Sequence, residues 1–165
     1  KDADKIVVLD SGLIKGEGTH EELYQSNHKA YEEQLLQLDR EVRETVAQSP
    51  RREIIFGDRF PFLYFVREYG LSYYAAFPGC AAQAEPSAAT LAFLIDKVKR
   101  DHVPTVFYLE LSNQSIANAV AEAAGAKTAL FHSCHNVSRE EFRRGESYLS
   151  LMTQNATQLK EALRQ

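Results

Sequence analysis

The apolar positions along the chain change their period several times, and each change marks an element. Lys5-Ile6-Val7-Val8-Leu9-Asp10 is a short apolar run suited to a strand. Ser11-Gly12 signals a turn, and Leu13-Ile14 opens a second strand that Gly16 and Gly18 close. Thr19, with Glu22 three residues on, makes a capping box for a short helix through Leu23. Tyr31, Leu35, Leu38, Val42 and Val46 then recur at helical spacing. They predict a long amphipathic helix closed by Ser49-Pro50, where proline disfavours continuation.

From residue 51 the period alternates between strand and helix. Strands are predicted at Glu53–Phe56, Ser72–Phe77, Thr105–Leu109 and Lys127–Phe131. Gly57-Asp58-Arg59-Phe60 reads as the loop after the first of them. A helix runs from Pro61 to Tyr69 and ends at Gly70. Another starts at Glu85-Pro86-Ser87 and carries Leu91, Leu94, Ile95 and Val98 on one face. A third is capped by Ser112 or Asn113, turns Ile116, Val120 and Ala123 inward, and ends at Gly125. A capping box of Ser138 and Glu141 starts a final helix to about Leu163. The fold class is therefore α/β: a four-stranded parallel sheet with helices on both faces, preceded by an N-terminal hairpin and a long amphipathic helix. The domain reading is a hairpin segment over 1–26, a backbone-type helix over 27–50 and a lobe over 51–165.

Such sheets bind ligands beyond the carboxyl ends of their strands, where strand order reverses. The reactive side chains follow that rule. Asp58 and Arg59 leave the first strand, Cys80 the second, Glu110 the third, and His132, Cys134 and His135 the fourth. Imidazole and thiolate are the usual ligands of borderline-soft metals such as zinc. The metal candidates are accordingly His135, His132, Asp58, Cys134 and Glu110, the loop Leu130 to Ser138 being one wall of the site. The plainer reading of that loop is a polar cap on the last helix, with Asp58 and Glu110 capping helices or pairing with Arg59. His28 and His102 read as solvated. Phe60, Phe62, Tyr64, Phe65, Tyr73, Tyr74 and Phe77 read as core packing rather than a platform for bases.

Composition removes other classes. A net charge of -4 gives no reason to expect nucleic acid or an anionic membrane surface as partner. No apolar run approaches the roughly 20 residues that cross a bilayer. Two cysteines are too few for a disulfide framework. With no signal peptide and no initiator Met, the sequence reads as a fragment or spliced product.

Two resemblances sharpen these expectations. Ala3-Asp4-Lys5-Ile6-Val7-Val8-Leu9-Asp10-Ser11-Gly12 and Glu17-Gly18-Thr19-His20-Glu21-Glu22-Leu23 resemble the C-terminal end of an ABC-transporter ATPase domain. No phosphate-cradling loop, Walker-B carboxylate or signature sequence accompanies them, so no nucleotide is expected. Residues 28–165 resemble the C-terminal lobe of zinc or manganese ABC-transporter solute-binding proteins. The resemblance is carried by Ile54-Ile55-Phe56-Gly57-Asp58-Arg59-Phe60-Pro61-Phe62, Tyr69-Gly70-Leu71, Glu85-Pro86-Ser87 and Phe107-Tyr108-Leu109-Glu110-Leu111-Ser112. Gly125-Ala126-Lys127 and Tyr148-Leu149-Ser150-Leu151-Met152 with Gln154-Asn155 complete it.

That resemblance implies zinc as the metal, ahead of manganese, an ABC permease as partner, and an extracytoplasmic place, periplasmic or as a cell-surface lipoprotein. Its first C-lobe ligand is commonly a histidine at the position of Arg59. A guanidinium cannot ligate a metal, so either Asp58 takes over or the metal sits differently. The second, commonly a carboxylate, falls at His135, beside His132 and Cys134. The family's first lobe, with its two histidines, is absent from the sequence. Family-like strand order sets the strands of Cys80 and Cys134 about 14 Å apart, too far for a disulfide. An orphaned lobe face is expected to be apolar, and a homodimer is expected through it. Two other readings compete with a metal-binding module and no enzymatic role: a thiol hydrolase using Cys134 with a neighbouring His, and a fusion fragment that folds without function.

Overall fold

The computed structural model describes residues 5–11, 13–77 and 86–164. Expectations that fall on Ala3-Asp4, Gly12, Pro78-Gly79-Cys80 and Glu85, including any bridge to Cys80, lie outside the described residues. The chain divides into two units, Lys1–Asp39 and Arg40–Gln165.

In the first unit, β1 (Ile6–Asp10) and β2 (Leu13–Gly18) pair antiparallel, with a bulge between Val8 and Leu9. The capping box forms: the Glu22 N–H donates to the Thr19 hydroxyl at 3.2 Å, and the Thr19 N–H donates to the Glu22 carboxylate at 2.8 Å. It opens α1 (His20–Gln48), one helix of 29 residues where the pattern predicted a short helix and a separate long one. The junction contains neither Gly nor Pro, and pairs four residues apart bridge it. Gln25 donates to Glu21 at 2.7 Å, and the Tyr24 and His28 rings stack. His28 is exposed, as expected. Tyr31 at the head of the apolar stripe is exposed too, so the stripe is buried only from Leu38 through Val42 and Val46. Beyond Gln48, Ser49 turns back, its hydroxyl donating to the Thr45 carbonyl at 2.6 Å.

In the second unit, β3 (Glu53–Arg59), β4 (Ser72–Phe77), β5 (Thr105–Tyr108) and β6 (Lys127–Leu130) form one parallel sheet in the order β4-β3-β5-β6. The helices are α2 (Leu63–Tyr69), α3 (Ala88–Arg100), α4 (Ser115–Ala124), α5 (Arg139–Arg144) and α6 (Tyr148–Leu163). Alternation along the strands builds two cores. Ile55 and Val106, paired across β3 and β5, pack with Leu94 and Val98 of α3 and Val120 of α4. The next pair, Phe56 and Phe107, packs with Phe131, and Phe56 and Phe131 also meet Phe62 just before α2. Helix α6 lies against β3 and β6.

Several boundaries differ from the pattern's reading. Strand β3 continues through Gly57, Asp58 and Arg59, which were expected as a loop. A Cβ on Gly57 would lie 2.3 Å from the Ala117 Cα, so the bare glycine lets α4 rest on the strand. Along α4 the buried face is Ala117, Val120 and Ala121, and Ala123 points to solvent. The expected single last helix is two, because Gly145 adopts φ 72° and ends α5. A second capping box, Ser147 with Ser150, then starts α6. Tyr64 was read as core and is 85% exposed, on the outer side of α2. Tyr73 is 37% exposed, with its ring stacked on Phe60 at 3.6 Å.

Candidate metal centre

The chain passes from β3 to β4 on one side and returns to β5 on the other, so strand order reverses between β3 and β5. At the carboxyl ends of these two strands lies a cleft of about 570 Å³. Asp58, Arg59 and Glu110 line it, with Phe77, Asn113 and Asn136.

Asp58 is 7% exposed. One carboxylate oxygen accepts the Arg59 N–H at 2.8 Å and the other the Leu109 N–H at 3.2 Å. The ladder between β3 and β5 ends at Phe56 and Phe107, so the aspartate continues the stitching where the strands part. Glu110, half-buried, does the same between the β5 and β6 loops. Its carboxylate accepts the Ser133 N–H at 2.7 Å and also the Ser133 hydroxyl. Arg59 is exposed, its guanidinium 5.8 Å from the Phe77 ring centroid.

The fourth-strand loop turns its donors elsewhere. His132 is 1% exposed and lines a separate cavity of about 180 Å³ with Leu130, Gln154 and Asn155. Its Nδ1 accepts the Cys134 N–H at 2.9 Å, which assigns the proton to Nε2. That Nε2 has no hydrogen-bond partner and stands 3.6 Å from the Glu141 carboxylate. Asn155 of α6 clamps the His132 backbone in both directions. Its side-chain carbonyl accepts the N–H at 2.7 Å, and its amide donates to the C=O at 2.8 Å. Asn155 stood in the sequence only as part of a resemblance; an amide on the apolar face of a helix, at the eighth residue of α6, is the signal that could have singled it out.

Cys134 sits at φ 62° and is half-buried. Burial first, and the Glu110 carboxylate second, push its thiol up to about 11. Its Sγ lies 3.7 Å from the His132 carbonyl, to which it donates. A nucleophile needs the opposite shift and a base in reach, so the geometry gives no support to a thiol hydrolase. His135 is exposed, and only its backbone N–H is engaged, with the Ser133 hydroxyl at 3.3 Å. The structure therefore brings Asp58 and Glu110 to one cleft, sends His132 to another cavity, and leaves His135 in solvent. Among the described residues, no three His, Cys, Asp or Glu side chains converge on a point that could hold a metal ion.

Comparison with known proteins places this architecture. The "High-affinity zinc uptake system protein ZnuA" of Bacillus subtilis (strain 168) is 32% identical over 151 residues, 92% of this chain and 47% of that protein. The "Zinc-binding lipoprotein AdcA" of Streptococcus pneumoniae (strain ATCC BAA-255 / R6) is 32% identical over 140 residues, 85% of this chain and 28% of that protein. Among solved structures, the Zn(II)-bound ZnuA-like domain of Streptococcus pneumoniae AdcA matches with TM-score 0.69 and 32% identity, over 87% of this chain and 53% of its own. The metal-dependent lipoprotein YcdH from Bacillus subtilis matches with TM-score 0.71 and 33% identity, over 86% of this chain and 53% of its own. The chain spans less than half the length of the two curated relatives. The family described as ZnuA, zinc-uptake complex component A, periplasmic, matches residues 6–162, and the chain belongs to that family.

Proposed function

We propose that the chain is the C-terminal lobe of the zinc-binding, substrate-binding component of an ABC uptake transporter, acting outside the cytoplasm and passing its cargo to a permease. The observation that carries this reading is kinship along residues 6–162 with proteins named for zinc uptake and zinc binding. The cleft at the strand switch is where such a sheet would take its cargo. Residues 51–165 are the lobe, 27–50 the backbone-type helix, and 1–26 a hairpin that resembles an ATPase tail.

Zinc is the cargo, ahead of manganese, because imidazole and carboxylate donors suit it. Asp58, Glu110 and His135 are the donors nearest to service. His132 would join through Nε2 only after the ring leaves its pocket and the proton moves from Nε2 to Nδ1, and Cys134 only on losing its proton. The protein has no catalytic role on this reading. Exposed Leu111, Val137 and Phe142 at the same end of the lobe are the surface for a homodimer. A folded fragment that holds no metal remains the second reading, favoured by the lack of three converging donors among the described residues.

Titration calorimetry with zinc chloride decides between them. The chain binds zinc, and Asp58→Asn or His135→Ala weakens binding by at least ~10-fold. No heat of binding at millimolar zinc sinks the carrier reading and leaves the second.

A further inference from the structure

Beyond Phe131 the loop after β6 stops pairing with backbone and is held by side chains. The Phe131 N–H still donates to the Tyr108 carbonyl at 2.9 Å. Each of the next four N–H groups finds a side-chain acceptor instead. His132 donates to Asn155 at 2.7 Å, Ser133 to Glu110 at 2.7 Å, Cys134 to the His132 Nδ1 at 2.9 Å and His135 to the Ser133 hydroxyl at 3.3 Å. The last two bonds are local, each running to a side chain two residues back, as in the turns that Asn and Ser make.

His132 is the middle of this chain of bonds. Asn155 holds its N–H and its C=O, and its ring in turn holds the N–H of Cys134. Cys134 takes φ 62°, a costly conformation for a residue with a Cβ, and these bonds sustain it. The ring is 1% exposed, and its Nε2 faces Glu141 of α5. To ligate a metal it would have to leave its pocket, move its proton and release Cys134. His135 needs none of this. It is exposed, its imidazole makes no hydrogen bond or ion pair among the described residues, and its neighbour Asn136 lines the cleft at the strand switch.

We propose that His132 is a positioning residue and not a ligand of the cargo: with Asn155 it sets the backbone turn that presents His135 to the metal. The proposal rests on the zinc reading of the chain and divides the roles of its two neighbouring histidines.

Two substitutions separate the roles. His132→Asn keeps an acceptor for the N–H two residues on and lacks the imidazole, while His132→Ala lacks both. Circular dichroism melts verify that each variant folds. Amide hydrogen exchange at Cys134, followed by NMR without metal, stays slow in His132→Asn and speeds up by about 10-fold or more in His132→Ala and Asn155→Ala. Zinc calorimetry gives the same order: His132→Asn binds within about 3-fold of the unaltered chain, and the other two bind about 10-fold more weakly. Imidazole nitrogen spectra of the unaltered chain, which need no variant, show His132 protonated at Nε2 with and without zinc, and only the His135 signals move. A His132→Asn chain that protects Cys134 yet binds zinc as poorly as His132→Ala makes His132 a ligand and overturns the proposal. So do His132 nitrogen signals that shift with zinc, and so does a Cys134 amide as slow in His132→Ala as in the unaltered chain. Zinc bound by none of the chains removes the carrier reading, and the presenting role with it, even where exchange shows the turn intact.

Discussion

Cys134 shows how a residue's surroundings overrule its type. In sequence it stands between two histidines, the company of a metal ligand or a nucleophile. In the fold its thiol is half-buried beside Glu110 and is pushed up to about 11. Ultraviolet titration of the thiolate should therefore show its midpoint near 11, and iodoacetamide at pH 8 should modify the native chain far more slowly than the unfolded one. The sign for stability follows. A folded-state value above the unfolded one favours the fold below the unfolded value, and that contribution is lost as pH rises toward 11. A midpoint at or below the ordinary thiol value would reopen the hydrolase reading. The neighbouring carboxylate Glu141 is held low instead, chiefly by the Ser138 backbone N–H in the capping box, with His132 contributing less.

At the scale of elements, the contact between β3 and α4 depends on one missing methyl. Gly57 lets the backbone of Ala117 approach, and β3 then carries Asp58 and Arg59 on to the cleft. Gly57→Ala puts a carbon 2.3 Å from the Ala117 Cα, a collision with backbone rather than with a movable side-chain tip. We expect a loss of about 3 kcal/mol or more, as for overpacked cores. Urea unfolding measures it, and a loss below about 1 kcal/mol would mean that the strand and helix are free to part. The joining of two expected helices into α1, and the parting of one into α5 and α6, have local causes. No breaker stands between Leu23 and Tyr31, and a left-handed glycine stands at 145.

At the scale of the whole molecule, apolar side chains reach into solvent from the loop after β5 and from α5: Leu111 is 72% exposed and Phe142 75%. Sedimentation velocity over a concentration series should show a monomer–dimer equilibrium, and Leu111→Glu with Phe142→Glu should leave a monomer. A wild-type chain that is monomeric throughout would dismiss the dimer. Along α1 the burial of the stripe changes: Tyr31 is exposed, while Leu38, Val42 and Val46 are covered.

Period, caps and turns determined the fold class from sequence alone. A helix or strand advertises itself through neighbours a few residues apart, and Thr19 with Glu22, Ser138 with Glu141, Gly70 and Gly125 each act at that range. Sequence also placed the candidate donors at the carboxyl ends of strands, since that requires only the order of elements. It did not disclose the length of β3, because the reason lies across space in Ala117. Nor did it disclose which way the His132 ring turns, because Asn155, 23 residues away, clamps its backbone. Only the tertiary structure decided that Asp58 and Glu110 serve as stitches between loops while Arg59 stays exposed beside the Phe77 ring. Hydrogen-bond partners are chosen by distance in the folded chain, and no local pattern encodes that distance.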